Sequence, residues 1–380
     1  MSGEDISRSE ISMAKRATNV TFVVMAGGRG ERLWPLVRQA VPKVCLAPAG
    51  TRTLLRMTID RLRSVWPGAA WLIVTTQEQS EIVRSCLPAG MRQAVLVEPQ
   101  IKDTAACITL AAIALAMQDP SGVMVVVPAD HWIGDLSAYR SAIRAAIGAS
   151  VAHETIATIG IRPTAPHPGL GYLCAGSFLS GNGVPRIFRL ARFVEKPSLA
   201  QAERLLARPQ TYWNHGAFIG RADTFLECVT EWLPDHTKRL AVLAEDLRDG
   251  LARRRAVRRE TFARRARAIY RTLQPISFDH GVMSRLQGGV VIEGGFQWTD
   301  LGNWDVWTRF GRAATHTLAI KSRNVAVFGQ ERHLVATIGV RDLLIVHTPS
   351  ATLVCRADQA QAVRDVVKRL GVEARFAPYR

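Results

Sequence analysis

The stretch Phe22-Val23-Val24-Met25-Ala26-Gly27-Gly28-Arg29-Gly30-Glu31-Arg32-Leu33-Trp34-Pro35-Leu36, with Pro42-Lys43 a few residues on, decides how this chain is read. Its first part is an apolar, Val-rich run of the kind that forms a buried strand. The run empties into Ala26, Gly27, Gly28 and Gly30, where glycine lets the backbone take positive φ and approach a ligand closely. Exposed N–H groups in such a loop make a nest for phosphate oxygens. Arg32 and Lys43 follow. Arg grips phosphate through a planar fork, and Lys acts as a point charge. The glycine spacing fits neither the dinucleotide-binding fingerprint nor the P-loop. The information therefore lies in the ordered string as a whole.

Outward from this loop, strand-like and helix-like segments alternate. Residues 21–26, 70–75, 94–97, 122–128 and 155–161 read as buried strands. Helical patterns fall near 53–65, 79–86, 104–117 and 136–150. Such alternation predicts an α/β fold, a mixed but mainly parallel sheet with helices on both faces. Ligands of these sheets bind at the carboxyl ends of strands, where the glycine loop and Pro128-Ala129-Asp130-His131 both fall. From about Leu318 the pattern changes to short β-like pieces at 325–328, 334–338, 343–347 and 352–355, closed by a helix at 359–370.

Bulk properties narrow the class. The chain has 380 residues, 48% hydrophobic and 21% charged, enough for a large core. No apolar run reaches the roughly 18–20 residues of a membrane span. Residues 1–18 lack the apolar core of a signal peptide, so a cytoplasmic location is expected. The six cysteines show neither metal-ligand nor redox-motif spacing, which reads as reduced thiols. The net charge of +17 is concentrated in an Arg-rich stretch running from Arg253 to Arg271. No aromatic RNA motif or zinc finger accompanies it, so it reads as a solvated helix face and nucleic acid is not an expected partner.

Three carboxylate-bearing segments carry the candidate chemistry. Asp130 ends an apolar strand, and Asp135 is better placed to cap the next helix. Asp300 sits in Trp298-Thr299-Asp300-Leu301-Gly302-Asn303-Trp304, a carboxylate framed by two indoles. Glu195-Lys196-Pro197 pairs a hydroxyl acceptor with a cation, and the proline biases Lys196 to extended geometry.

Taken in order, these motifs resemble those of sugar-1-phosphate nucleotidyltransferases, and Leu33-Trp34-Pro35-Leu36 is similar to the wording of the mannose-1-phosphate guanylyltransferase branch. The resemblance implies a Rossmann-like, GT-A-like catalytic domain over 19–315 and a short C-terminal left-handed β-helix with its closing helix over 316–380. It implies an enzyme that transfers GMP from GTP to α-mannose 1-phosphate with Mg²⁺, giving GDP-mannose and pyrophosphate. Ala26, Gly27, Gly28, Gly30, Arg32, Lys43, Glu98 and Thr104 would bind the nucleotide. Gly171, Glu195, Lys196 and Asn214 would bind the sugar. Asp130 and Asp300 would hold the metal, and Arg32, Lys43, Asp130, Lys196 and Asp300 would be catalytic. His131 and His215 would be hydrogen-bonding wall residues, and Asp279 would orient the sugar or a nearby loop. A homodimer is compatible with this reading.

The chain departs from the family's usual wording at His167-Pro168-Gly169-Leu170, at Val44, at Lys102-Asp103 and at His215. These changes spare the phosphate and metal residues and bear on base and sugar choice. Two alternatives therefore stay open: the same chemistry on another sugar phosphate or nucleotide, and a non-catalytic regulatory homologue.

Overall fold

The structure is a computed structural model that describes residues 19–38, 41–48, 52–247, 259–304, 306–307, 316–329 and 333–379. Its centre is a nine-stranded sheet in the order β3-β2-β1-β4-β9-β6-β10-β8-β7. The strands are β1 (Val20–Met25), β2 (Ala70–Thr76), β3 (Val95–Glu98), β4 (Val123–Pro128), β6 (Ala157–Ile161), β7 (Tyr172–Ser180), β8 (Ile187–Val194), β9 (Thr211–Arg221) and β10 (Val290–Gly294). Two-residue strands β5 (Trp132–Ile133) and β11 (Trp298–Thr299) form a small ladder of their own.

Strands β3, β2, β1 and β4 pair in parallel, as the alternating pattern predicts. Beyond β4 the sheet changes character. Strand β9 runs antiparallel to β4, β6 and β7, and β8 runs antiparallel to β7 and β10. Only β6 and β10 are parallel there. The mainly parallel expectation thus holds for the first half, while the second half is largely antiparallel, because its strands are joined without a helical crossover between each pair.

Strand alternation sends Phe22 and Val24 to one face and Val23 to the other. The first face is covered by α1 (Leu54–Arg63), α2 (Ser80–Cys86) and α4 (Leu136–Ala152). Against the second pack α3 (Asp103–Ala116), α6 (Ala222–Trp232) and α8 (Arg259–Thr272). Short helices α5 (Leu199–Leu206) and α7 (Pro234–Leu240) complete the set. Asp135 caps α4 as expected, its Oδ1 accepting from the N–H groups of Ser137 and Ala138 at 2.9 and 3.0 Å. Helix α8 buries Ala266 and Tyr270 and turns Arg264, Arg267 and Arg271 to solvent, the solvated face expected of the Arg-rich stretch. Arg253, Arg254, Arg255 and Arg258 lie outside the described residues.

The tail is built from short strands. β12 (His316–Ile320) pairs in parallel with β14 (Leu334–Ile338), and β13 (Arg323–Phe328) with β15 (Arg341–Thr348). β16 (Ala351–Arg356) folds back antiparallel on β15. A short 3-10 segment, Ala357–Ala362, leads into α9 (Val363–Val372). The tail docks through one apolar cluster that joins Phe328, Leu344, Val346, Leu353, Val363 and Leu370 to Leu33, Trp34, Val37, Leu301 and Trp304.

Candidate active site

Register builds the first half of the site. β1 and β4 align Val24 with Val127 and Met25 with Pro128, and the N–H of Ala129 donates to the carbonyl of Met25 at 3.0 Å. The glycine loop and Asp130 therefore leave the sheet side by side. Gly30 has φ +63°, and a Cβ there would stand 2.8 Å from the Cβ of Lys43. Glycine is thus required for the loop to close over Lys43. The Lys43 ammonium, on a buried side chain, donates to Asp130 Oδ2 and to the backbone carbonyl of Asp300, each at 2.6 Å. Burial pushes the Asp130 carboxyl up, but Lys43, His131 and the hydrogen bonds to the carboxylate together outweigh it and hold the group below the usual aspartate value.

Asp300 arrives through the small ladder, where β11 pairs Thr299 with Trp132 of β5. Its Oδ1 accepts from the Gly302 N–H at 3.0 Å. The two indoles lock this turn: Trp304 is fully buried and donates to the carbonyl of Trp34 at 3.3 Å, while Trp298 donates to His131 Nδ1 at 3.1 Å. That bond leaves the proton of neutral His131 on Nε2, and burial lowers its pKa to about 4. His215 stands edge-on to His131 with ring centroids 5.2 Å apart, and burial holds it neutral as well. Both histidines are uncharged; His131 is hydrogen-bonded as expected, whereas both ring nitrogens of His215 are buried with no hydrogen-bond partner, so His215 packs as a ring and not as the hydrogen-bonding wall expected.

Arg32 is half-buried beside this cluster, and its buried Nε has no hydrogen-bond partner. Burial is the main reason its pKa lies below the ordinary arginine value; Arg364 adds to the shift and Asp300 opposes it. Arg364 belongs to α9, so the tail brings a further cation near Arg32. Gln79 was also not foreseen. Its Nε2 donates to the carbonyl of Gly28 at 3.2 Å, and its Oε1 is buried with no partner. Neither residue stands in a motif, so no local pattern could have singled them out.

The second half gathers on β9. Asn214 lies inside this strand and receives Thr158 Oγ1 at 3.1 Å. Its N–H donates to the carbonyl of Gly171 at 2.8 Å, and its Nδ2 donates to Asp279 Oδ1 at 2.7 Å. A Cβ on Gly171 would come within 2.9 Å of Glu195 Oε2, so the glycine admits that carboxylate. Lys196 pairs with Glu195 at 2.8 Å. Its φ is +40° and not extended as Pro197 led us to expect: the left-handed turn folds the ammonium back over Glu195. Burial lowers the Lys196 pKa, but Glu195, Asp279 and Asp103 outweigh it and raise the net value. Asp279 is raised to about 7, first by burial and then by the charge of Glu195. Gly216 of β9 lies against Pro128 and His131, so the two halves adjoin.

Two expected nucleotide contacts take other roles. The Glu98 side chain is only 5% exposed and accepts from Tyr270 Oη on α8 at 2.9 Å. Burial raises its pKa to about 8. It points into the core because the strand end that carries it is covered by α8. Thr104 Oγ1 accepts from the Phe278 N–H at 2.8 Å, and Lys102 Nζ donates to the carbonyl of Leu273 at 2.6 Å. The 98–105 segment is therefore laced to 273–278. The remaining expected residues converge in the two adjoining clusters.

A carboxylate pair suits a hard cation that also draws on phosphate oxygens. Asp130 is kept ionised, and no group of three or more His, Cys, Asp and Glu side chains is found among the described residues. This donor set fits Mg²⁺ shared with a substrate and does not fit a closed zinc site.

A glycine loop, a lysine joined to two strand ends and a polar strand beside them define the class, the nucleotidyl transferases. The family described as "Nucleotidyl transferase" matches residues 21–316, and "MannoseP isomerase/GMP-like beta-helix domain" matches 316–370. The chain belongs to the mannose-1-phosphate guanylyltransferase family. It is 32% identical to the Escherichia coli (strain K12) mannose-1-phosphate guanylyltransferase, over 93% of this chain and 74% of that one. With the Salmonella typhimurium (strain LT2) mannose-1-phosphate guanylyltransferase ManC the identity is 33%, over 96% and 75%. A crystal structure from Thermus thermophilus, described as mannose-1-phosphate geranyltransferase, superposes with TM-score 0.77 at 32% identity, covering 93% of this chain and 100% of that one. No helix among the described residues is long and apolar enough to cross a membrane.

Proposed function

We propose that this enzyme transfers GMP from GTP to α-mannose 1-phosphate, giving GDP-mannose and pyrophosphate. The observation that carries the reading is Lys43, whose ammonium joins Asp130 to the Asp300 turn beside the glycine loop. A phosphate oxygen of the sugar phosphate attacks the α-phosphorus in line. The new O–P bond forms as the bond to the β-phosphate bridging oxygen breaks, and pyrophosphate leaves with that electron pair. The nucleophile is already anionic, so positioning and charge neutralisation are what the protein must provide.

In this reading Ala26, Gly27, Gly28 and Gly30 line the triphosphate, with Arg32 and Lys43 as its cations. Asp130 and Asp300 would hold Mg²⁺, and the chemistry supplied by a bound ion is neutralisation of phosphate charge. Lys196 faces the sugar phosphate. Glu195, Asn214 and the Gly171 backbone read the hexose hydroxyls. The unpaired Oε1 of Gln79 is an acceptor suited to a base N–H such as guanine presents.

The test is pyrophosphate release with Mg²⁺ across GTP, ATP, UTP, CTP and dTTP against mannose, glucose, galactose and fucose 1-phosphates. GTP with mannose 1-phosphate is the expected dominant pair. Another dominant pair would move the specificity and keep the mechanism. A folded protein silent with every pair would make it a regulatory homologue.

A further inference from the structure

Two cysteines meet directly behind the catalytic lysine. Cys45 closes the single-turn helix Lys43–Cys45, and Cys86 closes α2. Both are half-buried. The Cys45 thiol donates to the carbonyl of Ile82 at 3.8 Å. Ile82 lies four residues before Cys86, and positions i and i+4 share a helix face, so Cys45 rests over the turn that ends in Cys86. There the two thiols lie close enough for each to shift the titration of the other. The sequence shows none of this, because the pair stands 41 positions apart.

We propose that Cys45 and Cys86 form an oxidation-sensitive dithiol, closed to a disulfide by a hydroperoxide, that displaces Lys43 and shuts the enzyme off. The Cys86 thiolate attacks the hydroperoxide: an S–O bond forms, the O–O bond breaks, and the leaving oxygen departs as an alcohol or water after taking a proton. The Cys45 sulfur then attacks the Cys86 sulfenic acid. The S–S bond forms, the S–O bond breaks, and hydroxide leaves as water with the proton of the Cys45 thiol. Two thiols lose two electrons in all, and one hydroperoxide gains them. A dithiol reductant reverses the change by exchange.

The order of attack follows from the surroundings. The contact from Cys45 holds the Cys86 thiol down to about 7, against the opposing effect of burial. Burial pushes Cys107, Cys174 and Cys228 up. The thiolate is the reactive form, so Cys86 reacts ahead of those three. The consequence for activity follows from sequence distance. Lys43 lies two residues before Cys45 in the same turn, and its ammonium is held at 2.6 Å by two acceptors. Drawing Cys45 toward α2 pulls that turn with it, and misplacement of a catalytic group by about 1 Å costs on the order of 100-fold in rate.

The experiment is titration of the reduced full-length protein with hydrogen peroxide, followed by alkylation, peptide mass mapping and amine labelling of Lys43. At stoichiometric peroxide the Cys45–Cys86 cross-linked peptide is expected as the first product. Pyrophosphate release should fall at least tenfold and recover with dithiothreitol. The Cys86→Ser variant should form no cross-link and keep its turnover under the same peroxide. Earlier oxidation of another cysteine, arrest of Cys86 at sulfinic acid, or a cross-link that leaves both turnover and Lys43 labelling unchanged would overturn the proposal. The mapping and labelling read the dithiol directly, so they decide the matter even if the substrate assignment fails.

Discussion

Lys43 is a single side chain on which two strand ends depend. Its ammonium is buried against Asp130 and the Asp300 carbonyl, and a buried charge without its partner is costly. Lys43→Ala should lower turnover on the order of 100- to 1,000-fold, the range found when one preorganised donor to developing charge is removed. Far-UV circular dichroism should stay unchanged. Near-normal kinetics would remove Lys43 from the chemistry. Asp279 makes the matching case in the second cluster, where it binds Asn214. Its folded pKa of about 7 lies above that of an unfolded aspartate, so the native state binds the extra proton. Stability from this group is therefore present at low pH and lost as pH rises from about 4 through 7. Asp279→Asn keeps an acceptor for Asn214 and does not titrate. The melting temperature of wild type should drop from pH 6 to pH 8 by more than that of the variant. Glu98, raised to about 8, contributes the same slope to both proteins and cancels. Equal slopes would show that Asp279 is not buried against Glu195 as described.

Among elements, the turn Glu31–Leu33 and the turn Lys43–Cys45 meet at Gly30. Gly30→Ala should destabilise the protein by about 1–2 kcal/mol from left-handed backbone alone, with the Lys43 Cβ contact adding to it. The urea midpoint should fall, and turnover should fall with it because Lys43 is what must move. An unchanged midpoint would contradict the φ of this residue. The same scale explains what the sequence made legible. β1, β2, β4 and β6 are buried on both faces, so they read as continuous Val, Ile and Ala runs. β7 and β8 are partly exposed and antiparallel, with no such run, and β9, though buried, carries polar residues. Trp213-Asn214-His215-Gly216 was recognisable as a motif, yet its strand of eleven residues was not, because a polar pair interrupts the pattern. Glu98 misled for the opposite reason. A carboxylate at a strand end looks like a ligand contact, and only the packing of α8 shows that Tyr270 takes it. Asp279 and Asn214 are 65 residues apart in sequence, and their bond at 2.7 Å is a product of the fold.

At the scale of the whole molecule, the tail reaches the glycine loop and Arg32. Leu33 and Trp34, from the most telling stretch of sequence, pack against the tail. α9 returns Arg364 to the neighbourhood of Arg32 and Asp300. Arg364→Ala should raise the KM for GTP several-fold and leave the KM for the sugar phosphate unchanged, whereas Lys368→Ala, whose partner is Asp365, should change neither. A rise in both constants after Arg364→Ala would point to general loosening of the tail. Trp34 supplies the other tie, its indole donating to the carbonyl of Tyr379 at 2.8 Å across 345 residues of chain. That span has a consequence for biosynthesis. At about 5–20 residues per second, a ribosome needs on the order of 20–70 s after making Trp34 to supply its partner. The catalytic sheet can fold during that interval, but its glycine loop is left without backing. Chains terminated before Tyr379 should therefore release pyrophosphate more slowly than the chain that carries it.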